Sequence, residues 1–196
     1  MIKRIFDISF SFAGILILLP FYMLIGLVII IDSRGGIFYK QRRVGRGNKD
    51  FFILKYRTMY VNADKAGLLT VGARDSRITR VGYFLRRYKL DELPQLFNVL
   101  TGDMSFVGPR PEVRKYVDMY TAEQLKVLQV KPGITDYASI EYSNENEILA
   151  RSATPEQAYI NEIMPHKLLL NLKYINEQGI FTDMKIIFRT IGKIWK

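Results

Sequence analysis

The sequence predicts an α+β chain, mostly helical, in which an apolar helix-break-helix precedes a compact domain with amphipathic helices. Three observations carry this. An uncharged run extends from Ile8 to Ile31, the residues after it show a short stretch of strand-like alternation, and several later segments show helical stripes or helix-start signatures. The 196 residues divide into an anchor, 1–32, and a domain, 33–196, with no repeat or linker splitting the second part.

The apolar run would be about 36 Å long as a straight helix, enough for the roughly 30 Å hydrocarbon core. It is too long for a secretory leader, and no small-x-small cleavage site follows. Pro20 interrupts it, removing an N–H and the hydrogen bond to Leu16. Cations flank both ends, Lys3 and Arg4 before it, then Arg34, Lys40, Arg42, Arg43 and Arg46. A spanning helix concentrates its cations on one side. The two-sided pattern favours a bent, re-entrant form, while a simple span with a short outer N-terminus stays open.

Ser33 to Gly36 reads as a turn. From Phe51 to Met59 residues alternate, with Lys55 and Arg57 on the same face as Ile53, which suits a strand presenting two cations. Asn62 to Ser76 is polar and reads as a loop. Arg77 to Lys89 forms a helical stripe through Ile78, Val81, Leu85 and Tyr88, and a second helix is expected from about Asp91, with Pro94 in its first turn. Thr121–Gln124 and Thr154–Gln157 have the pattern of capping boxes, and Lys131 to Gly133 that of a turn. The last helix, about Asp183 to Trp195, sets Met184, Ile187, Phe188, Ile191, Ile194 and Trp195 against Lys185, Arg189 and Lys193. That pattern suits an anionic membrane surface or a core-packed helix with a solvated basic face.

Lysine and arginine outnumber acids 29 to 19, so anionic partners are favoured: phosphates, nucleic acid or acidic lipid. The absence of cysteine excludes disulfides, thiolate nucleophiles and cysteine-bound metals. The single histidine, His166, is expected at a surface or helix start. No Walker-type glycine loop is present. The chemistry then rests on carboxylates, Lys and Arg. Asp91 and Glu92 are the candidate catalytic pair, although paired acids at a helix start ordinarily serve as caps. Arg86 lies shortly upstream, and Arg110 sits between Pro109 and Pro111, where a stiffened backbone suits a forked grip on phosphate or a salt bridge, for instance to Asp103. Lys55 and Arg57 could join the same anion site or face water. A carboxylate that attacks phosphorus forms an acyl phosphate, and Mg²⁺ with arginines offsets the charge repulsion.

The run from Lys89 to Pro111, KLDELPQLFNVLTGDMSFVGPRP, resembles the hallmark of the bacterial sugar transferases, the monotopic polyprenol-phosphate phosphoglycosyl transferases. Supporting pieces span most of the chain: Lys3, Arg4 and Asp7, Phe52 to Met59, Arg77 to Gly82, and Lys131 to Thr135. The resemblance, in length to the minimal catalytic form, implies a re-entrant anchor with the catalytic domain on the cytoplasmic face of the bacterial inner membrane. It implies that Asp91 attacks the β-phosphate of a UDP-sugar, that UMP leaves, and that polyprenol phosphate takes the phospho-sugar from the enzyme. Mg²⁺ would be held beside Asp91, Glu92 would assist metal or proton handling, Arg110 would bind phosphate and Arg86 would support it. Anionic membrane lipid is an expected partner and nucleic acid is not. Two departures matter. Leu19 stands before Pro20 where many relatives have serine. Asp136-Tyr137 stands where many have Gly-Trp or Gly-Tyr, which makes Asp136 a candidate to alter sugar choice. Other readings are a basic membrane-tethered binding module, which Asp91→Asn would leave intact, and a nucleotide-sugar hydrolase, which would not need polyprenol phosphate.

Overall fold

In the computed structural model, which describes residues 2–63 and 75–194 (apart from the Ile194 side chain), α1 runs from Ile2 to Asp32. It is one continuous helix. Pro20 lies inside it without ending it, so the expected helix-break-helix is here a single element about 46 Å long. Its inner stripe is Asp7, Ser11, Ile15, Tyr22, Gly26 and Ile29, at helical spacing, and every one of these is buried. Its outer face, with Phe12, Ile17, Met23 and Leu27 among others, stays more than half exposed.

The domain grips α1 along its length. At the start, Lys3 pairs with Asp183, Arg4 donates to the Val99 and Leu100 carbonyls at 2.6 and 2.9 Å, and Asp7 accepts from the Ser105 hydroxyl and the Phe106 N–H. In the middle, Gly14 faces Leu96. Further on, the Tyr22 hydroxyl donates to the Leu93 carbonyl at 2.7 Å, and Asp32 accepts from the Val81 N–H. Arg4 thereby satisfies two orphan carbonyls at the end of α3 (Gln95–Thr101), and Asp32 one orphan N–H at the start of α2 (Arg80–Arg87).

After the Ser33–Gly36 turn comes an antiparallel hairpin, β1 (Phe38–Val44) with β2 (Asp50–Tyr56), registered from Phe38 opposite Tyr56 to Val44 opposite Asp50. The sequence reading had β2 but missed β1. Both faces of β2 meet protein: Ile53 packs with Val99 and Met104, whereas Tyr56 packs with Tyr22, Ile29 and Leu85. Asn98 of α3 completes the free edge, accepting from the Leu54 N–H at 2.9 Å and donating to the Phe52 carbonyl at 2.8 Å.

The expected loop at Asn62–Ser76 lies mostly outside the described residues. Helix α2 starts at Arg80, later than predicted, because the Thr79 hydroxyl caps it by accepting from the Gly82 N–H at 2.9 Å. Lys89 then turns left-handed (φ 56°) and a 3₁₀ turn, Leu90–Glu92, intervenes before α3. Asp91 therefore precedes the second helix rather than opening it, and Pro94 occupies the residue before it.

β3 (Ser105–Val107) lies parallel to β4 (Gly133–Thr135). Their crossing needs glycine: a Cβ on Gly108 would meet the Lys131 carbonyl oxygen at 2.4 Å, and one on Gly133 the Gly108 nitrogen at 2.1 Å. Between these strands α4 (Arg114–Val117) leads to the Thr121–Gln124 capping box, whose reciprocal bonds form at 2.9 and 3.3 Å, although they open a 3₁₀ stretch. Then follow α5 (Tyr137–Glu141), α6 (Glu145–Ala150), α7 (Pro155–Ala158), a π turn, and α8 (Met164–Glu177). Thr154 precedes α7 but its side chain makes no capping bond. The last helix, α9, runs Ile180–Ile194 and starts earlier than predicted; Trp195 and the Ile194 side chain lie outside the described residues.

Candidate active site

A cavity of about 1500 Å³ opens between the hairpin, the α2–α3 corner, the Arg110 loop and the α5–α6 segment. Four separate stretches of sequence place its charged centre. β2 delivers Lys55. The left-handed turn at Lys89 and the 3₁₀ turn after it deliver Asp91 and Glu92. A non-glycine residue held left-handed is uncommon, and here it reverses the chain so that both acids face inward. The Pro-Arg-Pro loop delivers Arg110, and α2 delivers Arg86.

Glu92 is bound twice. It accepts from Lys55 at 3.0 Å and from both terminal nitrogens of Arg110, a forked grip. Burial pushes this carboxyl up, but Arg110 and Lys55 together hold it well below the usual range, so it stays ionised. Glu92 in turn holds the Arg110 guanidinium protonated. Asp91 is treated differently. It is buried, and among the described residues no hydrogen bond or ion pair reaches its carboxylate. Burial, then the neighbouring Glu92 charge, push its pKa up, against the pull of Lys55, Arg86 and Lys89. Two adjacent acids thus occupy opposite states: one neutralised and fixed, the other unpartnered in a cleft lined by cations.

Arg110 is also held from behind. Its backbone N–H donates to the Asp136 carboxylate at 2.9 Å, and the other Asp136 oxygen accepts from the Ser139 N–H at 2.6 Å, capping α5. Asp136 is fully buried. It does not line the cavity: the side chain is committed to backbone groups and fixes the Arg110 loop. Arg43 adds a further tie, from β1 to the Pro111 carbonyl and the Glu112 carboxylate.

Asp91, Glu92, Arg86 and Arg110 therefore line one cavity, and Lys55, for which the sequence left open the anion site or water, joins them. Arg57 does not join them in the same way. Its guanidinium donates to the Gly36 carbonyl (2.6 Å), the Ser33 hydroxyl (2.6 Å) and the Ser33 carbonyl (2.8 Å). Those bonds commit it to the turn that ends α1, because the strand stops at Tyr56 and its alternation no longer aims the next side chain. Asp103 is likewise not the partner of Arg110; it accepts from Thr101. His166 bonds the Tyr142 hydroxyl at 2.7 Å near the start of α8 and lies 3.6 Å from Glu141. Sequence reasoning missed Glu145, Lys167, Thr190 and Lys193, all of which line the cavity from distant parts of the chain. No local motif marks them.

Among the described residues no three acids or histidines gather to cage a metal. Mg²⁺ does not require such a cage, since it commonly takes one or two carboxylates and completes its shell with water and substrate phosphates. Asp91 fits that requirement, and Glu92, already bound by two cations, does not.

The whole chain, residues 1–196, matches the family described as bacterial sugar transferase. It is 37% identical to the undecaprenyl-phosphate glucose phosphotransferase of Komagataeibacter xylinus, over 97% of this chain and 35% of that one. It is 35% identical to the UDP-N-acetylgalactosamine-undecaprenyl-phosphate N-acetylgalactosaminephosphotransferase of Aeromonas hydrophila, over 98% of this chain and 43% of that one. It is also 35% identical to the UDP-glucose:undecaprenyl-phosphate glucose-1-phosphate transferase of Caulobacter vibrioides, over 98% and 69%. The chain thus spans less than half the length of the first two, and the three names carry two different sugars.

Proposed function

The chain belongs to the bacterial sugar transferase family, and from that premise we propose that it moves a phospho-sugar from a UDP-sugar to polyprenol (undecaprenyl) phosphate. The observation that carries the reading is the contrast between Glu92, locked by Lys55 and Arg110, and Asp91, buried and unpartnered beside it.

In this reading an Asp91 carboxylate oxygen attacks the β-phosphorus. The bond from that phosphorus to the bridging oxygen breaks, and UMP leaves with the bridging oxygen. The phospho-sugar is now an acyl phosphate on Asp91. An oxygen of polyprenol phosphate then attacks the same phosphorus and the bond to Asp91 breaks, which regenerates the carboxylate and yields polyprenol diphosphate sugar. Arg110 and Lys55 already lie against an anion, Glu92, and are positioned to share their remaining donors with phosphate oxygens. Arg86 adds charge on the α2 side. Mg²⁺, when bound beside Asp91, would supply positive charge to offset repulsion between the carboxylate and the diphosphate.

The second half of the reading concerns the membrane. The outer face of α1 is apolar and exposed along its length, and the helix is apolar enough to enter a bilayer. Both of its ends are held by the same domain, Lys3 and Arg4 at one and Asp32 at the other. A perpendicular span would draw α3, packed beside Gly14 and Tyr22 of α1, and with it the Asp91–Glu92 turn, into hydrocarbon at high cost. This supports a monotopic placement in which the continuous α1 lies along the membrane surface, its outer face in lipid and both ends on the cytoplasmic side, where a UDP-sugar donor is supplied. The exposed Phe181 and Phe188 of α9 extend the apolar surface beside the Lys3–Asp183 tie.

The test is to incubate the protein with Mg²⁺ and a panel of UDP-sugars without lipid. Intact mass should show a phospho-sugar adduct with matching UMP release, absent in Asp91→Asn and discharged by polyprenol phosphate. Product formation with lipid but without any adduct would replace the covalent route by direct transfer, and failure of both would remove the enzyme reading.

A further inference from the structure

Within the cavity, apart from the Lys55–Glu92–Arg110 cluster, stands a second ion pair that the transfer chemistry does not use. Lys167 of α8 donates to Glu145, the first residue of α6, at 2.7 Å, with side chains 15% and 25% exposed, and both residues line the cavity. A carboxylate in a cavity otherwise rich in cations needs a reason, because it repels a diphosphate. Lys167 offsets that charge and fixes the carboxylate's position. Glu145 is also among the charges, after Glu92 and Asp136, that favour the protonated Arg110 guanidinium.

The groups around it differ from those around Asp91. Ser143, Asn144, Asn146 and Glu147 line the cavity beside Glu145, and Arg43, Lys55, Arg86 and Arg110 line it from other segments. The lining thus combines the cations that surround Asp91 and Glu92 with a run, 143–147, of neutral hydrogen-bonding groups and two carboxylates, of which Glu145 is paired with Lys167. A nucleotide sugar also has two parts. Its diphosphate is anionic, while its sugar carries only hydroxyl or amide groups. A carboxylate accepts from two hydroxyls at once, and an amide both donates and accepts.

We propose that Glu145, held by Lys167, accepts hydrogen bonds from the hydroxyls of the donor sugar and, with Asn144 and Asn146, determines which sugar the enzyme takes. The inference rests on the transferase reading above.

The experiment is a calorimetric titration of the Asp91→Asn protein, which cannot consume its donor, with Mg²⁺, UDP and a panel of UDP-hexoses. Glu145→Gln on that background should weaken the best UDP-sugar about tenfold, leave UDP within about twofold, and level the ranking among sugars. The charge swap Glu145→Lys with Lys167→Glu restores the ion pair between α6 and α8. It should therefore keep the melting temperature and UDP affinity while discrimination between sugars stays lost. Equal shifts for UDP and UDP-sugars in both variants, no shift in either, or recovery of sugar ranking in the swap would overturn the proposal and leave the pair as a structural tie. Absence of UDP-sugar binding when Glu145 is intact would instead overturn the transferase reading, and this inference with it.

Discussion

At the scale of single residues, the site holds charge in an uneven balance. Asp91 has a raised pKa in the folded protein, so the unfolded chain releases that proton more readily. Its ionised form therefore destabilises the fold, by an amount that grows as pH rises above the ordinary aspartate range and is complete above the folded pKa. Asp91→Asn should melt higher than the parent at neutral pH, with the difference shrinking towards acid pH, while turnover is lost; calorimetric scans across pH check this. Under the proposed mechanism the attacking form is the ionised one, so the acid limb of kcat/KM should lie above the usual carboxylate range. Glu92 has the opposite sign. Its stabilisation is present above the ordinary glutamate pKa and is lost as pH falls through the lowered folded value. Glu92→Gln leaves Lys55 and Arg110 without their common partner and should cost about 3–5 kcal/mol in denaturant titrations. Asp91, Glu92 and Arg110 were legible in the sequence because they fall in one dense motif. Glu145 and Lys167 were not, since they are 22 positions apart on different helices and nothing local relates them.

At the scale of elements, short range signals located helices better than their ends. Thr79, not Arg77, starts α2 because its hydroxyl can cap, and the closeness of α2 to the strand end requires Gly82, where a Cβ would meet the Thr58 carbonyl oxygen at 2.1 Å. Gly82→Ala must push α2 away from β2 and with it the Lys89 turn. The expected result is lower thermal stability together with reduced turnover, in contrast to Gly47→Ala, which meets no atom within 4 Å and should lower stability only through its left-handed backbone. The charged residues of β1, Lys40, Arg42 and Arg43, mask its alternation in the sequence; Arg42 pairs with Asp50, Arg43 with Glu112, and Lys40 is exposed, so none enters a core. Lys3 and Arg4 read as membrane-flanking charges in the sequence, yet both, like Asp7, are bonded to the domain. Arg4→Ala should free two α3 carbonyls and loosen α1 from α3, seen as faster amide exchange at the end of α3.

At the scale of the whole molecule, the proposed placement on an anionic bilayer rests on the exposed apolar face of α1, the aromatic side chains of α9 and the +10 charge. The absence of native cysteine makes topology directly measurable. Single cysteines at Ile2 and Arg34 should both react with a membrane-impermeant maleimide from the cytoplasmic side; labelling of Ile2→Cys from the other side would establish a span. Phe181→Ser with Phe188→Ser should weaken partition onto anionic vesicles without lowering stability, since both side chains are largely exposed.

What the sequence determined by itself was local and contiguous. It held the apolar helix, the carboxylate pair, the Pro-Arg-Pro loop, the capping box and the charge that demands an anionic partner, because each is written in neighbouring residues whose chemistry is independent of distant ones. What only the tertiary structure decided was which charges meet. Lys55 and Arg57, two positions apart, part company, one to Glu92 and the other to the turn after α1. Asp136 turns from a pocket residue into a buried brace for Arg110, and Glu145 enters the cavity from a helix the motif does not include. Ion pairs and cavity walls depend on through-space distance, and that is set by the packing of α1, the hairpin and α8 around one another.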